Sequence, residues 1–381
     1  MKLPLRLLIN GITFETAILA PHLLNVKYWQ GRSCKITYLG TSVLKKRIEE
    51  TNIIENFDFV EVKGKWELNS RLSLITEGLR RNLIILFGIK EFKNKYDVIY
   101  SRSSVLDLVI FPYFLKIFDK NIKWATVFDN IVPLKDSGKR LIRLLAWSFF
   151  HLSLIFLRKA DYIFVISDEL KDYLIRRGYG KDKVVLTGNA VETNLIKKAK
   201  CDKKYDIDVL FIGRINETKG IYDMLNVLEM VNKKYPDFQL AVMGRGDATT
   251  EREFKQKIKE MGMEKNVQFL GYKTGLEKFN IIKSSKIFLF LSKSKSESFG
   301  IALLEAVCCG VKAFAYKLKP YENIYKHGEV NLFSIGDYRS VAKEVIKTFD
   351  DKSFGNSKGE LLVDKYNWDR IAEIELKHFL A

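Results

Sequence analysis

Ser296-Glu-Ser-Phe-Gly-Ile-Ala-Leu-Leu-Glu-Ala-Val-Cys-Cys-Gly310 decides how the rest of the chain is read. An apolar strand precedes it, Lys286-Ile-Phe-Leu-Phe-Leu-Ser292, and another follows, Val311-Lys-Ala-Phe-Ala-Tyr316. Between them the run from Gly300 to Cys309 predicts a short buried helix, with Gly310 placed where a helix end favours a left-handed residue. Two carboxylates interrupt the apolar pattern. Glu297 stands just outside the helix N-terminus, and Glu305 follows eight residues later, which at a rise of ~1.5 Å per residue is roughly 10–12 Å along the axis. The unpaired N–H groups of a helix N-terminus attract anions and polar ligands. A carboxylate at each end of such a span can hold two hydroxyl-bearing parts of one elongated ligand.

A chain of 381 residues implies two domains of ordinary size, and 47% hydrophobic with 29% charged residues is a globular composition. Six prolines and no low-complexity run argue against long disordered tails. The four cysteines, Cys34, Cys201, Cys308 and Cys309, have no metal spacing and read as reduced thiols of a cytosolic protein. The start, Met1 to Asn10, reads as a first strand rather than a signal peptide. The net charge is +18, and residues 1–190, with 31 Lys+Arg against 19 Asp+Glu, carry +12 of it. This asymmetry predicts an anionic partner for the first half: a membrane surface, a phosphorylated lipid or a nucleic acid.

Taken in order, strands are expected at Leu5–Asn10, Lys35–Gly40, Phe57–Val62, Asp97–Arg102, Lys123–Phe128, Asp161–Ser167 and from Lys183, with helices between them. Gly11, Arg102 and Asp129 follow three of these strands and point to one crevice, because ligands of doubly wound sheets bind at C-terminal strand ends. With one glycine and no GxGxxG, the first turn is a weak dinucleotide signal. The helix Lys139–Lys159 has an uncharged core of 14 residues, Leu144–Leu157, too short to span a bilayer. It reads as a buried scaffold helix or as a basic-flanked helix lying on a membrane surface, and Leu79–Phe87 has the same two readings. The polar run Lys197–Tyr205 is the candidate linker. A second α/β unit then begins with the strand Asp208–Ile212 and continues through strands at Phe238–Met243 and Val267–Leu270 to the stretch quoted first.

Gly213-Arg-Ile-Asn-Glu-Thr-Lys-Gly220 follows the first strand of this second unit. Gly213 allows close approach of backbone to a ligand, and Arg214 and Lys219 place two cations at the strand end, suited to holding a diphosphate and to stabilising a departing one. A solvated basic loop is the plain alternative. Glu305 would then hold ribose hydroxyls, Glu297 would sit beside a sugar, and Gly271-Tyr272 would border the base.

The combination Gly-Arg-x4-Lys-Gly with Glu-Ser-Phe-Gly-Ile-Ala-Leu-Leu-Glu-Ala-x3-Gly resembles glycosyltransferase family 4. Its paired glutamates are matched by Glu297 and Glu305, its strand ending in Ser by Asp161–Ser167, and its Asn-Gly-Val-Asp exit turn by Thr187–Glu192, with Ala190 and Glu192 as departures. Tyr366-Asn-Trp-Asp369 resembles the opening of its closing helix. The resemblance implies the GT-B fold: two doubly wound Rossmann-like domains facing a central cleft, an acceptor-binding one over 1–198, a donor-binding one over 199–365, and a terminal helix over 366–381 packing back on the first. It implies retaining transfer from a nucleotide-diphosphate sugar, used as substrate, with no metal and no cofactor. Arg214 and Lys219 would bind the diphosphate, Glu297 and the backbone of Phe299, Gly300 and Ile301 the donor sugar, and Glu305 the ribose. In the first half Phe128 occupies the position where the family often has His, and Asp129 keeps a carboxylate beside it.

The expected acceptor is a saccharide, lipid-linked in the reading that uses the basic first half, as in cell-surface polysaccharide biosynthesis. The expected location is cytoplasmic, peripheral on the inner face of the plasma membrane. Two other readings stand beside this one. The same fold can serve a sugar phosphorylase or epimerase, and a basic cleft can bind nucleic acid, although the aromatics lie in apolar runs rather than among exposed cations. Asp206-Ile-Asp208 matches a metal-carboxylate motif but opens a strand rather than closing one, and His22, His151, His327 and His378 have no metal spacing.

Overall fold

The computed structural model describes residues 4–13, 20–63, 71–134, 140–294 and 297–381. The chain divides into two compact units, residues 1–189 with 368–381 and residues 190–367.

The first unit runs β1 (Leu5–Asn10), α1 (Ala20–Gln30), β2 (Cys34–Gly40), α2 (Ser42–Thr51), β3 (Asp58–Glu61), α3 (Arg71–Phe87), β4 (Val98–Ser101), α4 (Leu106–Phe118), β5 (Lys123–Phe128), α5 (Arg140–Leu157), β6 (Tyr162–Val165), α6 (Asp168–Ile175) and β7 (Val184–Leu186). These strands form one parallel sheet in the order β3-β2-β1-β4-β5-β6-β7. The order reverses direction between β1 and β4, the switch point at which open α/β sheets take ligands. The central strands are near-continuous apolar runs because both faces are covered.

The second unit runs α7 (Thr193–Lys198), β8 (Ile207–Ile212), α8 (Ile221–Asn232), β9 (Leu240–Met243), α9 (Ala248–Glu260), β10 (Val267–Gly271), α10 (Gly275–Lys283), β11 (Ser285–Phe290), α11 (Ile301–Cys308), β12 (Lys312–Tyr316), α12 (Lys319–Ile324), β13 (Asn331–Phe333), α13 (Tyr338–Asp350), α14 (Ser357–Glu360) and α15 (Leu362–Lys365). Its parallel sheet has the order β10-β9-β8-β11-β12-β13, with the switch between β8 and β11. The loops after those two strands are the ones that carry Arg214, Lys219 and Glu297. The last helix, α16 (Trp368–Leu380), belongs to the first unit and packs on α1.

Several short elements carry little periodicity: α2, α12, α14, α15 and the three-residue β13. The polar run 197–205 begins in α7 and is then pinned to α10, where Lys200 N donates to Asn280 Oδ1 (3.0 Å) and Asp202 N donates to Ser284 Oγ (2.8 Å). The expected scaffold helix is α5, and its outward side is not covered: Leu141, Leu144, Leu152 and Ile155 are exposed. Among the described residues no helix is long and apolar enough to cross a membrane.

Candidate functional site

The loop after β8 is built to come close to its neighbours. A Cβ on Gly244 would lie 1.9 Å from the carbonyl oxygen of Gly213, so the turns after β8 and β9 touch only because Gly244 has no side chain. Asn216 caps the short turn 217–219 by accepting from Lys219 N (3.0 Å) and from Thr218 Oγ1 (2.9 Å). Gly220 is left-handed (φ 76°), and a Cβ there would meet the Leu291 carbonyl oxygen at 2.0 Å. The loops after β8 and β11 therefore lie back to back, tied by Lys293 N donating to Thr218 O at 2.8 Å.

This contact brings Lys219 to Glu297. The ammonium donates to the Glu297 carboxylate, which also accepts from Ser292 Oγ at 3.2 Å. Both side chains are largely buried, at 16% and 13% exposure, so the pair is shielded from bulk solvent. Directly after Glu297 the chain enters α11. Gly300 is its N-cap, left-handed (φ 73°) and without a side-chain acceptor, so no side chain of the cap covers the first N–H groups of the helix. A Cβ on Gly300 would lie 2.7 Å from the Tyr321 hydroxyl. At the other end Gly310 N donates to Val307 O and Val311 N to Ala306 O, with Gly310 left-handed (φ 78°), the pattern of a Schellman end.

Glu305, buried on α11, accepts from Lys278 Nζ of α10 at 2.6 Å. Glu192 completes this group. Burial holds its carboxyl above the usual range, with the Lys278 ammonium opposing and the Glu305 carboxylate adding to the effect. Arg214 and Tyr272 are exposed, and Arg214 has no ion-pair partner among the described residues. Ile301 is also exposed, whereas Phe299 is buried with its ring edge-on to Tyr366 (5.7 Å).

Lys219, Glu297, Phe299, Gly300, Ile301 and Glu305 thus cluster around one helix, and Gly213 and Arg214 share the Lys219 loop. Tyr272 follows β10, at the outer edge of the sheet. The sequence reading did not include Lys278, Asn216, Ser292 or Tyr321. Lys278 lies in an ordinary amphipathic helix and Ser292 at a strand end, with nothing local to mark either. Asn216 had a signal, because an Asn three residues before Lys219 in a Gly-bounded loop is a capping pattern.

In the first unit Gly11, Arg102 and Asp129 follow β1, β4 and β5, three adjacent strands. Gly11 N donates to Leu39 O (2.8 Å), and a Cβ there would press on Leu44 (2.5 Å). Burial raises the Asp129 carboxyl, Arg102 opposes, and Ser103 Oγ lies 3.5 Å from Asp129 Oδ1. The Arg102 guanidinium sits 5.6 Å over the Trp368 ring.

Among the described residues no group of three or more His, Cys, Asp or Glu is placed to hold a metal ion. Asp208 is engaged instead by Lys286 Nζ (2.5 Å) and Gln239 N (2.9 Å), which brace the start of β8.

Residues 192–373 match the family described as Glycosyl transferases group 1. Curated relatives include the phosphatidyl-myo-inositol mannosyltransferase of Mycobacterium leprae, 28% identical over 43% of this chain and 44% of that protein. Another is the N-acetyl-alpha-D-glucosaminyl L-malate synthase of Bacillus anthracis, 26% identical over 40% of this chain and 38% of that protein. The chain thus spans less than half the length of these relatives. In fold it is similar to a glycosyltransferase from Rickettsia africae (TM-score 0.74, 14% identity, 99% of this chain and 98% of that one). It is also similar to Anabaena HepE in complex with UDP-glucose (TM-score 0.74, 14% identity, 98% of each chain). The stretch that carries Glu297 and Glu305 thus matches the family of glycosyl transferases group 1, and the chain shares the fold of solved glycosyltransferases.

Proposed function

We propose that the chain transfers a sugar, with retention of anomeric configuration, from a nucleotide-diphosphate donor to a saccharide acceptor on a lipid carrier. The observation that carries this reading is the Lys219–Glu297 pair beside the uncapped N-terminus of α11. It sets a cation, a carboxylate and helix N–H groups around one small volume. Arg214, on the same loop, adds a second cation for the diphosphate. Glu305, with Lys278 holding its carboxylate, binds the ribose hydroxyls.

In the reaction the bond from the anomeric carbon to the diphosphate oxygen breaks, and the acceptor hydroxyl oxygen bonds to the same carbon from the same face. The acceptor proton passes to the departing diphosphate oxygen. Lys219, Arg214 and the α11 N–H groups stabilise the negative charge that grows there. Glu297 orients the sugar and steadies the positive charge developing on its ring. No step calls on a metal. The first unit, with Gly11, Arg102 and Asp129 at its strand ends, binds the acceptor. The mannosyltransferase relative, named for phosphatidyl-myo-inositol, supports a lipid-borne acceptor. On this reading the enzyme works at the cytoplasmic surface of a membrane, in the synthesis of a cell-surface glycan.

A thermal-shift screen across nucleotide-sugars identifies the donor, because a ligand at about a hundred times its Kd adds roughly 2.7 kcal/mol to stability. With that donor, Lys219→Ala and Glu297→Ala are expected to abolish transfer while the melting transition remains cooperative. Near wild-type turnover in both variants sinks the site assignment. Turnover of sugar phosphates in place of nucleotide-sugars identifies a phosphorylase instead.

A further inference from the structure

Two segments of the second unit each bear a cation followed four positions later by a carboxylate. Lys219 and Asp223 lie where the loop after β8 enters α8, and Lys293 and Glu297 lie between β11 and α11. The four charges pair crosswise. The Lys219 ammonium meets the Glu297 carboxylate, and the Lys293 ammonium donates to Asp223 Oδ1 at 2.8 Å. Both segments carry their charges in the same order, so the two ion pairs tie them in antiparallel register.

The second pair has a fixed base. Asp223 is buried in the first turn of α8, where the positive end of the helix dipole favours a carboxylate. Its Oδ2 also accepts from the Tyr316 hydroxyl, at the end of β12, at 2.5 Å. β8, β11 and β12 are neighbours in the sheet, so one carboxylate joins the start of α8, the loop after β11 and the end of β12. Lys293 itself is 38% exposed, and an ion pair with so exposed a member adds little to stability. Its use lies in geometry instead.

A donor acts differently on the two pairs. In the proposed reaction the diphosphate takes Lys219 and the sugar takes Glu297, so a bound donor draws the first pair apart. The spacing of the two segments then matters most, because a misplacement of about 1 Å at a reacting centre can cost on the order of a hundredfold in rate. The donor makes no demand on Asp223 or Lys293, and their pair persists.

We propose that Lys293 is a positioning residue: its pair with Asp223 keeps Lys219 and Glu297 in register while the donor occupies both. The role presupposes the donor-binding roles of Lys219 and Glu297. The test uses whichever UDP- or GDP-linked hexose raises the wild-type melting temperature most, and follows release of the nucleoside diphosphate, which needs no identified acceptor. Lys293→Met is expected to lower kcat about tenfold or more and to leave KM for the donor within about threefold, the signature of an interaction that acts after binding. Lys293→Met/Asp223→Asn removes the carboxylate left without its cation. It is expected to regain any melting temperature lost in Lys293→Met while kcat stays low. A purely structural role moves stability and kcat together, so recovery of kcat in the double variant overturns the proposal, as does wild-type kcat in Lys293→Met. Glu297→Ala separates this failure from that of the donor site. Loss of release in Glu297→Ala with unchanged kcat in Lys293→Met overturns the positioning role alone. Wild-type release in Glu297→Ala, or no thermal shift with any of the hexoses, removes the donor site and the positioning role with it.

Discussion

At the residue scale the site depends on two features that differ in how far sequence alone reveals them. Glu297 and Glu305 are legible because each is a carboxylate in an otherwise apolar run, with its spacing fixed by the helix between. Lys278 is not, because it meets Glu305 only through the packing of α10 on α11, 27 positions away. The Lys278–Glu305 pair is largely buried, and removing one partner of such a pair leaves an uncompensated charge at a cost of about 3–5 kcal/mol. Lys278→Ala is therefore expected to lower the melting temperature sharply, and Lys278→Ala/Glu305→Ala to recover much of the loss. Chemical denaturation of the two single variants and the double measures the coupling; additive losses would mean that the pair is not coupled. Gly300 gives a second case. Its left-handed backbone costs an L-residue roughly 1–2 kcal/mol, and its Cβ would also strike the Tyr321 hydroxyl. Gly300→Ala is expected to destabilise by more than the backbone cost, and adding Tyr321→Phe to return part of the difference. The Tyr321 hydroxyl is buried with no hydrogen-bond partner among the described residues, so Tyr321→Phe alone is expected to be neutral or slightly stabilising in a denaturant melt.

At the scale of elements, the long apolar strands and the helices between them were readable, because parallel strands buried on both faces leave runs that nothing else in the chain imitates. The short elements β13 and α12 were not. A strand of three half-buried residues has no period to show, and α12 announces itself only by Pro320 in its first turn. What α16 does was also beyond local pattern, because its polar residue works through distant partners. Glu375 is buried and accepts from Tyr100 Oη (3.1 Å) and Asn25 Nδ2 (3.0 Å), beside His22, which stacks on Tyr100. Burial raises the Glu375 carboxyl to about 7, against the Arg102 charge, and burial with Arg102 lowers the His22 imidazole to about 3. A carboxyl raised in the folded state favours folding while it is protonated. Its contribution is full below about 4.5 and is lost as pH rises towards 7. His22 acts in the opposite sense, costing stability as pH falls from about 6.5 towards 3, so the two slopes oppose each other between about 4.5 and 6.5. Glu375→Gln removes one of them. The stability of this variant minus that of wild type is expected to rise with pH between about 4.5 and 7, by up to a few kcal/mol. Urea melts at a series of pH values provide the check, and a difference independent of pH contradicts the assignment.

At the scale of the molecule, the first unit is discontinuous in sequence and the second is not. The first unit is closed by α16, which buries Trp368, Ile371, Leu376 and Phe379. Trp29 Nε1 donates to Ala372 O (2.9 Å), Lys123 Nζ to Phe379 O (3.0 Å), and the Phe379 ring packs edge-on against Trp29 and Tyr100. Burying a large apolar side chain contributes roughly 1.5–3 kcal/mol, so losing these four removes on the order of 6–12 kcal/mol. That is comparable with the entire stability of a domain, about 5–15 kcal/mol. The second unit has its own core, with α8 and α13 packed against the sheet through Leu225, Leu228, Val341 and Val345. Residues 190–367 expressed alone are therefore expected to unfold cooperatively. Residues 1–189 alone are expected to lack a cooperative transition and to expose Trp29, and a peptide of residues 368–381 added in excess is expected to restore both. Tryptophan fluorescence and calorimetry of the fragments decide the matter: a cooperative melt of 1–189 without the peptide would show that α16 covers a core already formed rather than completing it.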